Sequence, residues 1–241
     1  MKESPVQVRA SALTFCGPRA FELSMSPLKL YDYPASANCY KVRLLLAQLG
    51  RRHARVPVDI FGGDTLTETY RRLNPHRSTP VLELATGERL IESGAILVYL
   101  AHGTKFLPED PLSLAQILRW LIFEQTDVIP AIGGLRFRLQ TGRLRAEDPD
   151  AIRRRHDGEE ILTLLEEHLA EREFFVGPSF TIADIGMYGY LHVADEAGYD
   201  IASHTALSDW LKRVAGQPGY VDDLVPYPSN ARSGAGRSTY D

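Results

Sequence analysis

Asn74-Pro75-His76-Arg77-Ser78-Thr79-Pro80-Val81-Leu82-Glu83-Leu84 is the stretch on which the fold of this chain turns. A short apolar run opens on a proline. Proline has no N–H and holds φ near about −65°, so it belongs at a strand's first residue or on a sheet edge. The residue before it, Thr79, is driven into an extended conformation. A trans Thr79–Pro80 bond is the default. A cis bond would turn the N–H and C=O of Thr79 outward, available to another extended backbone.

Working upstream, Leu28–Asp32 reads as a short strand between Pro27 and Pro34. A turn follows, with candidate N-caps at Ser36 and Asn38. From Cys39 to Leu49 the apolar Val42, Leu45, Leu46 and Leu49 fall at helical spacing, and Gly50 supplies the stop. Arg55–Asp59 reads as an edge strand interrupted by Pro57, and Thr65–Leu73 as a short polar helix. Downstream, Val81–Leu84 and Arg89–Ile91 form a hairpin around Thr86-Gly87, and Ser93–His102 is a mostly apolar, buried helix. Gly103–Pro111, with two prolines, is a linker. Strand, helix, strand, helix, then Thr-Pro before a hairpin and a last helix is the order of a thioredoxin-like βαβαββα domain.

After the linker the pattern is helical throughout. Leu112–Ile132 carries a broad apolar face and is kinked or ended by Pro130 and Gly133-Gly134. Ala151–Glu171, Ile182–Ala197 and Leu207–Val214 follow. Thr181 and Asp184 fit a capping box, with Phe180 and Ile185 placed for the hydrophobic staple across it. The expected fold class is therefore α/β plus all-α: a thioredoxin-like domain over residues 25–105 and an all-helical bundle over 112–222. Residues 1–24 read as a disordered or artefactual leader and 223–241, rich in Pro, Ser, Gly and Arg, as a flexible tail.

Composition sets limits. Of the 241 residues 44% are hydrophobic and 24% charged, an ordinary balance for a soluble protein. A net charge of −4 argues against nucleic-acid binding as the main task. Two cysteines, Cys16 and Cys39, make neither a disulfide framework nor a metal cluster, which suits a reducing cytoplasm. No apolar run reaches the roughly 18 residues that read as a membrane span.

Ser36-Ala37-Asn38-Cys39 stands where thioredoxin-like proteins place Cys-x-x-Cys, at a helix N-terminus. Unpaired N–H groups and about half a positive charge there favour a thiolate, whether the protein's own or a bound thiol's. The first cysteine position is a serine, which cannot be a redox nucleophile but can donate a hydrogen bond to a thiolate. Lowering a thiol pKa by about two takes roughly 2.7 kcal/mol. One charge-assisted hydrogen bond of about 1.5–3 kcal/mol, helped by the helix end, covers it. The rival reading makes Ser36 a plain N-cap. Glu92-Ser93 opens the apolar helix. Free N–H groups beside the serine suit a carboxylate, and Glu92 suits an ammonium, so the pair matches the α-amino-acid end of a ligand.

Together these residues resemble the cytosolic glutathione transferase family, in its bacterial, serine-type form, from about Leu28 to Tyr220. The resemblance implies that Ser36 activates the glutathione thiol, and that Glu92 and Ser93 hold its γ-glutamyl end. It implies that the backbone of Thr79 pairs with the cysteinyl part and that Arg77, or His76, meets the glycine carboxylate. Asn38, Tyr31 and Tyr33 remain alternatives for activating the thiol. Cys39, in the second cysteine position, is expected to face the helix packing. Ser36-Ala37-Asn38-Cys39 departs from the Ser-Ser-Cys signature of maleylacetoacetate isomerases, so that activity is not supported.

The family further implies glutathione as co-substrate without a metal, a small electrophile as second substrate, detoxification as the role, a homodimer and a cytoplasmic location, with no nucleic-acid or membrane partner. Trp120, Phe123, Glu124 and Arg136 are candidates to line the electrophile's pocket, although such helix residues are more often core. Two other readings stay open: an interaction protein that keeps the fold without turnover, and a glutathione-dependent reductase or lyase.

Overall fold

The structure, a computed structural model, describes residues 28–240; the leader expected at 1–24 lies outside them. Four strands form one sheet in the order β2-β1-β3-β4. They are β1 (Leu28–Asp32), β2 (His53–Pro57), β3 (Val81–Glu83) and β4 (Arg89–Ile91). β1 runs parallel to β2, with Leu30 opposite Arg55, and antiparallel to β3, with Leu30 opposite Leu82. β3 and β4 close the hairpin. Strand β2 begins two residues earlier than its proline suggests: Pro57 ends it on the sheet's edge, where a missing N–H costs no ladder bond.

Helix α1 (Ala37–Gln48) connects the first two strands, the short α2 (Glu68–Leu73) precedes the Pro80 turn, and α3 (Ser93–Ala101) follows the hairpin. This is the thioredoxin-like arrangement. Helix α3 buries Ile96, Leu97, Leu100 and Ala101, but it is not buried all round: Tyr99 is 40% exposed.

The helical part comprises α4 (Pro111–Phe123), α5 (Gly134–Gln140), α6 (Pro149–Leu169), α7 (Ile182–Leu191) and α8 (Thr205–Ala215). The expected kink at Pro130 takes a specific form. Glu124–Gly133 winds as a π-helix joining α4 to α5. Pro130 has no N–H and would crowd the carbonyl four residues back in an α-helix. The wider turn removes that conflict, and the carbonyl of Pro130 accepts from Arg154 Nη1 at 2.7 Å. Helix α7 ends at Leu191, shorter than its apolar pattern suggests, and a 3-10 turn takes over at Ala194–Ala197.

One hydrophobic core runs through both parts, including Leu30, Val42 and Leu97 from the sheet side and Ile117, Ile185 and Trp210 from the bundle. A buried ion pair crosses between them: Lys41 Nζ of α1 lies 2.7 Å from Glu124 Oε1, both side chains 1% exposed. The ammonium also sits 5.3 Å from the ring centroid of Tyr190. Gly189 permits this, since a Cβ there would come within 2.5 Å of Lys41 Cγ.

Residues 223–240, expected to be a loose tail, are packed. Asp223 accepts from Arg43 Nε at 2.7 Å, and Arg43 Nη1 in turn reaches the buried Asp32 at 2.6 Å. Farther on, Arg143 Nη1 donates to the carbonyl of Ala231 at 2.7 Å, Ser233 N to Thr141 O at 2.9 Å and Arg237 N to Phe61 O at 2.8 Å. The strap therefore touches both the sheet domain and the bundle.

Candidate active site

The turn after β1 sets the first wall. Ser36 N donates to Tyr33 O at 2.9 Å, closing a turn with Pro34 in its second position. Ser36 then caps α1, its Oγ accepting from Cys39 N at 3.3 Å. This bond uses a lone pair and leaves the hydroxyl proton free to donate. N-cap and thiol activator are thus compatible roles for one serine. Cys39 is fully buried, and burial pushes its thiol up to about 11. It therefore remains an unreactive thiol at neutral pH, facing the packing as expected.

The Thr79–Pro80 bond is cis. Asn74 organises the loop before it: its Nδ2 donates to Ser78 O at 2.8 Å, its Oδ1 accepts from His76 N at 2.9 Å, and Tyr70 Oη donates to Ser78 O at 2.9 Å. Sequence reading missed Asn74, which is fully buried and polar. Among the described residues no turn or loop hydrogen bond uses the N–H or C=O of Thr79.

Helix α3 supplies the third wall. No side chain caps it, and Ile96 N is the first amide to bond back, to Glu92 O at 3.0 Å. The amides of Ser93, Gly94 and Ala95 thus precede the helix's own ladder. Ser93, 3% exposed, donates its hydroxyl to Asn38 Oδ1 at 3.2 Å. That bond ties the N-terminus of α3 to the N-terminus of α1. Glu92 adopts φ +67°, a conformation costly for a residue with a Cβ. Its carboxylate points outward, 3.4 Å from His76 Nδ1. The Ser93–Asn38 and His76–Glu92 contacts thus bring the start of α3 to the start of α1, two residues after Ser36, and to the loop before Thr79. Arg77, at φ +56°, lies in the loop before Thr79, its guanidinium without a hydrogen bond among the described residues.

Neither tyrosine considered beside Ser36 presents a phenolate. Tyr31 Oη turns to Glu83 Oε2 at 3.3 Å. Tyr33 is buried, and that burial pushes its phenol well above the usual range, so it supplies no phenolate at neutral pH. Of the residues considered for the electrophile's pocket, Trp120 packs against His168 and Phe175, both 4.7 Å away between ring centroids, with Phe123 at its edge. Glu124 is spent on Lys41 and Arg136 on Glu196 at 2.8 Å. These are packing and pairing residues. What does flank the β1–α1 turn is a small separate core of Tyr33, Ala35, Cys39, Phe61 and Ala231, with Phe137 and Tyr227 against it. Its members come from four distant stretches, and no local signal joins them.

The family model of the glutathione S-transferase N-terminal domain matches residues 30–104, and that of the C-terminal domain matches 155–213. Glutathione S-transferase 3 of Zea mays is 30% identical over 216 residues, covering 85% of this chain and 96% of that protein. Elongation factor 1-gamma of Artemia salina is also 30% identical, over 70% of this chain, which spans 40% of that protein's length. Among solved structures, a glutathione S-transferase from Pseudomonas fluorescens is 39% identical with a TM-score of 0.80, covering 83% of this chain and 100% of the other. A glutathione transferase from Pseudomonas putida with one glutathione disulfide bound per subunit is 25% identical, with a TM-score of 0.71 over 80% of this chain and 88% of that one. With a sheet domain and a helical bundle each matched by its own family model, and a relative matched along nearly its whole length, the chain belongs to the glutathione S-transferase family.

Proposed function

We propose that this protein binds glutathione and activates its thiol as a thiolate for attack on small electrophiles. The observation that carries the proposal is the Ser93–Asn38 hydrogen bond, which holds the starts of α1 and α3 side by side. A ligand laid across them meets a hydroxyl and a helix terminus at its thiol, and free amides and a carboxylate at its amino-acid end. In this reading Ser36 Oγ donates to the sulfur, Thr79 pairs with the cysteinyl backbone, Glu92 takes the ammonium and the start of α3 takes the α-carboxylate. Arg77 offers its cation to the glycine carboxylate. The thiol proton leaves to solvent, the sulfur forms a bond to the electrophilic carbon, and the leaving group departs with the electron pair of the broken bond.

Calorimetric titration of glutathione in two buffers of different ionisation enthalpy tests this. Binding with close to one proton released at neutral pH is the expected result. Binding without proton release points instead to a carrier or a redox role. Absence of binding removes the enzyme and favours an interaction protein, a reading supported by the similarity to elongation factor 1-gamma. A reductase working through Cys39 is disfavoured by its burial and its raised thiol pKa.

The reading extends to assembly and location. We propose a homodimer in the cytoplasm with a role in detoxification. Tyr99 on α3 and Leu112, Leu118 and Ile122 on α4 are exposed, which leaves apolar side chains on both helices for a second copy to cover. No described helix is long and apolar enough to cross a membrane.

A further inference from the structure

Successive residues of a strand face opposite sides of the sheet. Leu30 and Leu82 belong to the core shared with α1 and α3. Lys29 stands opposite Glu83, Tyr31 opposite Val56 and Glu83 opposite Arg89, so these five share the other face. Cover on that face comes from the 3-10 turn Asp64–Leu66 and from α2, a helix of only 6 residues. Between helix and sheet lies a cavity of about 550 Å³, with Tyr31, Val56 and Arg89 on one wall and Thr69, Arg72 and Leu73 on the other. Ligand pockets run from roughly 300 to 1,000 Å³. The helical wall is anchored: Tyr70 also lines the cavity, is 6% exposed, and its Oη donates to Ser78 O at 2.9 Å. Ser36, Arg77, Thr79, Glu92 and Ser93 are not among the lining residues.

The charge at the cavity is unbalanced. Glu68 is engaged by Arg71, at 2.7 and 2.8 Å, and lies 3.5 Å from Arg72 Nη1. Glu83 is likewise engaged by Lys29 at 2.9 Å, while Arg89 Nε stands 3.4 Å from it and Arg89 Nη1 3.5 Å from Arg72 O. Two guanidinium groups thus meet at one cavity with only long contacts, short of an ordinary charged hydrogen bond of about 2.7–2.9 Å. The one acid in the lining, Asp64, turns its Oδ2 to Asp59 N at 2.8 Å. Two cations against one anion leave room for a single negative charge. Below them the walls are apolar and aromatic, from Val56, Leu73, Tyr31 and Tyr70.

We infer that this cavity is a second ligand site, separate from the proposed glutathione site, and that it takes a flat aromatic monocarboxylate. The ring system lies between Tyr31, Val56 and Leu73, and the carboxylate meets Arg72 and Arg89, whose planar forks match its two oxygens.

The test is calorimetric binding of 2-naphthoate to the full chain, with 2-naphthalenemethanol as the uncharged counterpart. One 2-naphthoate per chain is expected, the alcohol binding about tenfold more weakly, as the loss of a charge-assisted contact implies. Arg72→Gln and Arg89→Gln should each weaken 2-naphthoate about three- to tenfold. Thr69→Trp and Val56→Trp fill the space from opposite walls and should abolish binding. Thr69 is exposed on α2, so its replacement leaves the core intact even where Val56→Trp misfolds. S-hexylglutathione at saturation should leave the 2-naphthoate Kd within about twofold, as expected of sites with no shared partners. Absence of saturable binding, binding unaffected by Thr69→Trp, or displacement by S-hexylglutathione overturns the site. Equal affinity for acid and alcohol overturns the carboxylate. If S-hexylglutathione itself fails to bind, the glutathione reading falls, and this site is still decided by Thr69→Trp.

Discussion

Ser36 carries the sharpest residue-level consequence. Its hydroxyl accepts from Cys39 N and keeps its proton, so removing it costs a cap and, under the proposed function, the bond donated to the glutathione sulfur. Ser36→Ala should lower kcat/KM for conjugation about 10- to 100-fold, matching about 1.5–3 kcal/mol. The pKa seen in the pH–rate profile should rise, while glutathione still binds through Glu92 and α3. Initial rates across pH would check this; an unchanged profile would transfer the role to Asn38. His192 makes a different prediction. Burial between Tyr40 and Tyr188 holds its imidazole down at about 4, against 6.5 in an open chain. The unfolded chain then binds the extra proton between those values, so this contribution is complete above pH 6.5 and is lost as the pH falls toward 4. It amounts to about 3 kcal/mol. Urea unfolding at pH 7 and 4.5 should show the parent losing about 2–3 kcal/mol more than His192→Gln. That Ser36, Thr79, Glu92 and Ser93 stand at a turn or a helix start was legible in the sequence, because local chemistry marks those places. The role of Asn74 was not, because it lies in what surrounds that residue in space.

At the scale of elements, the box at the start of α7 is present as its sequence spells it: Thr181 N donates to Asp184 Oδ2 at 2.9 Å and Ala183 N to Thr181 Oγ1 at 3.3 Å. The same carboxylate does more than cap. Its Oδ1 accepts from Phe175 N and from Trp210 Nε1, each at 3.0 Å, which joins α7 to α8. Burial pushes it up to about 6 against these donors. Asp184→Ala would leave the amides of Phe175 and Thr181 and the indole of Trp210 unmet in the core, at about 1–3 kcal/mol each. We expect a loss of at least about 3 kcal/mol by urea denaturation, whereas a cap alone is worth about 1. The capping box was readable because both partners lie within one helical turn. The π-helix at Glu124–Gly133 was not, since Pro130 announces a break without stating how the chain resolves it.

At the scale of the whole molecule, the order of elements was open to reading and the path of the strap was not. Asp223 and Arg43 are 180 positions apart, and composition says nothing of such a pairing. Assembly belongs to this scale as well. A dimer built on α3 and α4 would cover Ile122, which is 61% exposed. Sedimentation at micromolar concentration should therefore give twice the 26.9 kDa of the chain, and Ile122→Glu should give the single mass with its circular dichroism unchanged. A monomeric parent would sink the dimer. The Lys41–Glu124 pair has one more implication, for how the protein comes apart. If the sheet half melted ahead of the bundle, an ammonium and a carboxylate would lose each other while one of them stayed inside, and separating such a pair costs about 3–5 kcal/mol. Half-molten species are thereby suppressed. A differential scanning trace should contain a single endotherm whose calorimetric and van't Hoff enthalpies agree, and Lys41→Met should split or broaden it.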